Sequence, residues 1–177
     1  MSKTVYFIRH GECIANVEGV IAGAGDDSPL TELGKDQACE TAKLLCSIEF
    51  ALIVSSPLSR AKDTASIIAS RLGIDSDKII VNDKFTEKDV GEYTGKPKAE
   101  YFAFEKSGGE AGETTDEMQE RVRTGLSWLE NQDFKVALVV THNGTVRMIR
   151  TVLESLPAKE FANISQLANG HFYKVEL

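Results

Sequence analysis

Apolar residues along this chain gather in short runs separated by stretches where they recur at helical spacing. Lys3 to Arg9 (KTVYFIR) is a β-branched and aromatic run that stops at His10-Gly11, which predicts a buried strand delivering its last residues to a loop. Beyond a Gly/Asp-rich loop from Gly19 to Ser28, the positions Leu33, Ala38, Ala42, Leu45 and Ile48 keep a helical period, and Thr31 is placed to cap that helix. Phe50 to Val54 predicts a second strand closed by Ser55-Ser56-Pro57. There Ser56 is set to cap, and Pro57 to begin, a second helix with Leu58, Ala61, Ala65, Ile68 and Leu72 on its apolar face and Gly73 at its end.

Lys78 to Val81 and Val136 to Val140 are further strand candidates, the latter apolar throughout, as a strand covered on both faces must be. Met118, Val122, Leu126 and Leu129 form a helical stripe after Thr114-Thr115-Asp116. This alternation predicts an α/β fold, a three-layer α/β/α sandwich around a mostly parallel sheet. Asn169-Gly170, between Ile164–Leu167 and Phe172–Val175, carries a type I′ hairpin signal and predicts an antiparallel edge. With no repeat, low-complexity tract or interdomain linker, residues 1–177 read as one domain. The Gly- and acid-rich segment Ser107 to Glu117 (SGGEAGETTDE) reads as a mobile active-site loop.

Composition narrows the functional classes. A net charge of -7 argues against a nucleic-acid or anionic-membrane surface, because both need clustered cations. Cys13, Cys39 and Cys46 are odd in number and lie at no metal-ligand spacing, so neither a disulfide framework nor a zinc site is expected. Met1-Ser2-Lys3 runs directly into the first strand without a signal-peptide core, and the expectation is a soluble, cytoplasmic protein.

Two histidines occupy equivalent places, His10 after the strand ending in Ile8-Arg9 and His142 after the strand ending in Val140-Thr141. In a parallel sheet both emerge at the carboxyl edge, where open α/β sheets bind ligands, and Arg60 lies just beyond a third strand end. Arg9, His10, Arg60 and His142 together suit a phosphoryl group, whose transfer spreads charge over three equatorial oxygens and depends on positioned donors. A neutral His10 nitrogen would attack in line while guanidinium forks and His142 hold the oxygens. Gly11 is expected to admit backbone close to the phosphate. His171, beside the predicted turn, reads as structural.

On these residues the chain resembles the histidine phosphatase superfamily, the phosphoglycerate-mutase-like proteins, from Val5 to about Arg150. The family's Arg-His-Gly-Glu signature stands as Arg9-His10-Gly11-Glu12, with its phosphate-contacting asparagine at Asn16. Ser28-Pro29-Leu30-Thr31 with Gly34, and Ser55-Ser56-Pro57-Leu58-Ser59-Arg60-Ala61 with Thr64, match the next two blocks. Phe85-Thr86-Glu87 with Gly91-Glu92 and Gly95 resembles the general-acid block. Gly112-Glu113-Thr114 with Arg121, and Thr141-His142-Asn143-Gly144 with Arg147, resemble the last two.

The resemblance implies a phosphoglycerate mutase-like fold and a metal- and cofactor-independent phosphatase acting on a small phosphorylated metabolite. It implies that His10 becomes a phosphohistidine while Glu87 protonates the leaving alcohol and later takes a proton from water. It places Arg9, Gly11, Asn16, Gly23, Arg60, His142 and Asn143 at the phosphate or substrate. The sequence also departs from the pattern. Cys13 replaces a usual Ser or Thr and reads as a small packing residue; Ala22 replaces a common Gln; Asn143 stands for a frequent Gly and still tolerates the left-handed backbone that a Gly would supply. Hydrolysis is preferred to mutase transfer because the longer middle insertion of typical mutases is missing. Phosphoglycerate mutase, protein phosphohistidine phosphatase and a non-catalytic phosphate-ligand-binding regulator remain alternatives, and the sequence is compatible with a homo-oligomer.

Overall fold

The computed structural model describes residues 2–177. In chain order, strand β1 (Thr4–Arg9) is followed by one helical turn α1 (Ile14–Val17), helix α2 (Glu32–Leu44), strand β2 (Leu52–Ser55) and helix α3 (Ser59–Arg71). Strand β3 (Ile79–Val81), helix α4 (Lys98–Lys106), helix α5 (Thr115–Glu130), strand β4 (Val136–Thr141), helix α6 (Asn143–Leu153) and strand β5 (Phe172–Glu176) complete it. The strands form one sheet in the order β3-β2-β4-β1-β5, parallel except for β5.

Strand alternation divides the core. Tyr6, Ile8, Ile53, Leu138 and Val140 face α2 and α3, meeting Ala38, Ala42, Ala61, Ala65 and Ile68. Their sequence neighbours Val5, Phe7, Val54, Ala137 and Val139 face the other way, onto Met118, Val122 and Leu126 of α5 and Val146 and Ile149 of α6. Period 2 in the strands and period 3.6 in the helices thus produce the expected three layers. Among the described residues no helix is long and apolar enough to cross a membrane.

Thr31 caps α2 as expected, accepting from the Gly34 N–H at 3.0 Å, and Gly73 takes the left-handed conformation just past α3 with φ of 72°. Three expectations need correcting. Ser56 does not cap α3, which begins only at Ser59: the Ser56 N–H still bonds Val140 in the sheet at 2.9 Å, and its hydroxyl is engaged by His142. The capping role passes to Asp27, a residue of the Gly/Asp-rich loop, whose carboxylate accepts from the Ser59 N–H at 2.6 Å and hydroxyl at 2.8 Å.

The second correction is the hairpin. The antiparallel edge exists, but β5 pairs with β1, and residues 164–167 are not a strand. Leu167 instead gives its N–H to Asn143 Oδ1 and its carbonyl to Arg9. Third, residues 107–117 do not line the central cavity. Their Gly112 packs against the backbone of Asp89 and Gly91, and Glu113 pairs with Arg121 at 2.6 Å.

Candidate active site

Parallel register sets the site. Arg9 pairs with Thr141 and Ser55 with Val140, so β1, β4 and β2 end side by side and release His10, His142 and Ser56 at one edge. The His10 N–H still bonds Thr141 at 2.9 Å, which fixes its backbone to the neighbouring strand. The two imidazole centroids lie 5.1 Å apart. His10 and His142 are both buried.

Each ring has one nitrogen committed. His10 Nδ1 sits 2.6 Å from the Gly11 carbonyl, which can only accept, so Nδ1 carries the proton and Nε2 keeps a lone pair. His142 Nε2 contacts Ser56 Oγ at 2.7 Å, while its buried Nδ1 has no protein partner. Burial foremost, and then the Arg60 charge, hold both imidazoles well below the ordinary histidine range; for His10 the bond to Gly11 opposes this in part.

That depression sets a sign for acid stability. Below about pH 6.5 the unfolded chain takes up protons that the folded one refuses, so stability falls with pH by about 1.4 kcal/mol per unit for each histidine. Urea unfolding between pH 6 and pH 5 is expected to show a slope shallower by about that amount in His142→Gln than in the wild type. An identical slope in the two chains would mean that His142 titrates as an ordinary histidine.

Arg60, 1% exposed, is held from α3 by two carbonyls of the Gly/Asp-rich loop, Asp26 at 2.6 Å and Gly23 at 2.8 Å. Arg9 is held by Leu167 at 2.6 Å. Arg9, His10, Asn16, Gly23, Arg60, Glu87 and Asn143 line one cavity of about 170 Å³, with His142 buried behind it. Glu87 reaches the start of α6, where its carboxylate accepts from the Gly144 N–H at 3.0 Å and from the Lys88 N–H at 3.0 Å. Gly144 is required there, since a Cβ on it would lie 2.3 Å from Glu87 Oε1.

Gly11 does not line the cavity. Its N–H goes to Thr64 Oγ1 at 3.1 Å, and a Cβ would lie 2.2 Å from the Gly34 carbonyl oxygen. The missing side chain serves the approach of α2 rather than that of a phosphate. Asn143 opens α6 in helical conformation; Ser155 is the one non-glycine residue with positive φ among those described, so the left-handed backbone that Asn143 would tolerate is not called on. His171 is exposed, with its ring Nδ1 3.2 Å from the Asn169 carbonyl and its own carbonyl accepting from the Arg9 N–H at 3.0 Å.

Sequence reasoning missed several participants. Ser56 had been assigned to a helix cap and Asn169 to a turn, and each instead touches a site residue through a contact distant in sequence. Helix α4 had no assignment, yet Lys98, Tyr101 and Phe102 form a wall of the cavity. Its signal was an amphipathic stretch after Pro97 too short to stand out. Burial, and then the Arg9 charge, lower the pKa of Lys98. Lys88, 5% exposed, pairs with Glu105 at 3.3 Å, and Glu105 also accepts from Tyr101.

Comparison with known proteins adds to this geometry. The family model described as histidine phosphatase superfamily (branch 1) matches residues 5–177. Fructose-2,6-bisphosphatase TIGAR of Xenopus tropicalis is 33% identical over 131 residues, covering 69% of this chain and 48% of that protein, so the chain spans about half its length. The 2,3-bisphosphoglycerate-dependent phosphoglycerate mutase of Thermoplasma acidophilum is 31% identical over 82% of this chain and 73% of its own. Among solved structures, the alpha-ribazole phosphatase from Shigella flexneri superposes with a TM-score of 0.85 at 25% identity, covering 97% and 89% of the two chains.

Proposed function

This chain belongs to the histidine phosphatase superfamily, branch 1, and from that membership we propose that it hydrolyses small phosphomonoesters by way of a phosphohistidine on His10. One observation carries the reading. Of the four buried side-chain nitrogens without a protein partner among the described residues, three surround His10: Arg9 Nε, Arg60 Nε and His142 Nδ1. Leaving a buried donor unpaired costs about 1–3 kcal/mol, and three together at a strand edge suit the equatorial oxygens of a transferring phosphoryl group.

Roles follow from the contacts. His10 Nε2 attacks phosphorus as the bond to the leaving oxygen breaks, and Glu87 gives that oxygen its proton. Water then attacks the phosphohistidine, Glu87 takes the proton from the water, and phosphate departs. The Ser56 hydroxyl meets no other protein acceptor among the described residues, so its proton goes to His142 Nε2. That tautomer makes His142 Nδ1–H a donor to the phosphoryl group.

Water access favours hydrolysis over return transfer. Lys98 and the 43% exposed Phe102 of α4 stand at the cavity wall, so this side of the cavity borders solvent, which suits attack by water more than the enclosed return transfer of a mutase. The mutase relative keeps phosphoglycerate transfer as the second reading. A phosphomonoester panel with and without EDTA, run beside phosphoglycerate exchange, separates the two. Chelator-resistant, vanadate-sensitive hydrolysis is expected; exchange outrunning hydrolysis would move the assignment to mutase. A small phosphorylated metabolite in a reducing, cytoplasmic setting fits the free thiols Cys13, Cys39 and Cys46.

Gly144→Ala tests the seat of Glu87. The clash falls on the end of a flexible side chain, and alanine favours the helix by up to about 1 kcal/mol, so Tm is expected to change little. Turnover of alkyl phosphates is expected to fall toward the roughly 10²-fold loss that follows removal of a proton donor. Unchanged turnover would show that the carboxylate does not work from that seat.

A further inference from the structure

We propose that Asn169 is a positioning residue that fixes the orientation of the Asn16 carboxamide, so that Asn16 presents N–H donors rather than an acceptor to the bound phosphoryl group. This deepens the reading above and rests on it. Asn16 Oδ1 lies 3.2 Å from the Cys13 backbone N–H and 3.1 Å from Asn169 Nδ2. A backbone N–H only donates, so the Asn16 atom facing it must be oxygen. Asn169 Nδ2 lies 3.0 Å from the His10 carbonyl, which only accepts, so that atom must be nitrogen.

The two assignments are made by different backbone groups, and they agree. Asn16 Oδ1 is therefore occupied on the protein side by Cys13 and Asn169. Its amide nitrogen meets no protein acceptor among the described residues, while the side chain lines the cavity. A reversed amide would set NH2 against NH2 at Asn169 and N–H against NH2 at Cys13.

The chain supplies the lock from its far end. Gly170, with φ of 73°, turns the backbone so that its N–H bonds the Arg9 carbonyl at 3.1 Å, which brings Asn169 over the end of β1. The residues that suggested a hairpin thus form a clasp across the strand end carrying His10. Asn169→Ala removes one of three contacts on Asn16 Oδ1 and leaves the Cys13 N–H and the Cys13 thiol, 3.4 Å away. Asn169→Asp is harsher, because a carboxylate offers only acceptors to Asn16 Oδ1 and favours the reversed amide.

Vanadate affinity, measured by calorimetry without turnover, tests this in Asn169→Ala, Asn169→Asp, Asn16→Ala and both double variants, with Tm followed for each. Asn16→Ala is expected to weaken binding at least about tenfold, the worth of a hydrogen bond to a charged group. Asn169→Asp is expected to approach that loss and Asn169→Ala to reach roughly threefold, the first step of the same effect. In the Asn16→Ala background Asn169→Ala should not weaken binding further, because the amide through which Asn169 acts is gone. A packing role would instead lower Tm and add its effect in both backgrounds, which overturns the proposal, as does wild-type affinity in both Asn169 variants. The isosteric Asn169→Asp carries the test if the alanine variant does not fold. Absence of vanadate binding by the wild type would overturn the phosphoryl-site reading itself, and the lock with it.

Discussion

Replacing His10 with alanine is expected to lower phosphomonoester hydrolysis by about 10⁴-fold or more, the scale on which loss of a covalent nucleophile is felt. The acid-labile phosphoryl adduct expected on quenching the wild-type enzyme should vanish with it. The effect is large because no neighbour can substitute. His142 has Nε2 committed to Ser56 and its proton on Nδ1, so it has no free lone pair to offer phosphorus, and Glu87 is tied to the start of α6. Arg9 and Arg60 do not depend on the His10 side chain for their anchors, which are the carbonyls of Leu167, Asp26 and Gly23. Vanadate should therefore still bind the variant. Retained turnover with retained adduct would mean that another side chain takes the phosphoryl group, and the mechanism would fall.

Glu87→Gln is expected to give the second largest loss, and its size should depend on the leaving group. The glutamine carbonyl can still accept from Gly144, although its NH2 then faces the Lys88 N–H that the other carboxylate oxygen accepts, and the transferable proton is lost. For alkyl phosphates, whose leaving oxygen needs that proton, turnover should fall by roughly 10²–10⁴-fold. With p-nitrophenyl phosphate the first step needs no acid. A stoichiometric burst of nitrophenol followed by slow release is expected, since water attack on the phosphohistidine still lacks its base. Equal losses for both substrates, with no burst, would show that Glu87 does not move protons in either step.

The parts of this molecule that could be read from its sequence are those whose causes are local. The apolar runs Lys3 to Arg9 and Val136 to Val140, the helical stripe of α5 and the Thr31 cap each depend on residues a few positions apart, and each appears close to where expected. His10, His142 and Arg60 were legible as a group because parallel strands must deliver their ends to one edge. Ser56 was not legible, because its hydroxyl meets His142 across 86 positions, nor was Asn169, which meets Asn16 across 153. A serine before a proline looks like a cap, and Asn-Gly looks like a hairpin, until a distant partner claims the side chain. Gly11 failed differently. Its lack of a Cβ was noticed, but the group that needs the space is the backbone of Gly34, which no sequence spacing identifies.

The loop from Gly19 to Ser28 has a consequence for redesign. It both caps α3 through Asp27 and grips the Arg60 guanidinium through two carbonyls, so the segment that walls part of the cavity also aims the Arg60 arm that lines it. Exchanging it for a relative's loop to alter substrate preference would misdirect that arm unless a helix-capping side chain at position 27 and the backbone path through positions 23 and 26 were carried over. Single side-chain changes at Val20, Ile21 or Ala22, which line the cavity without holding Arg60, are the safer route to new selectivity.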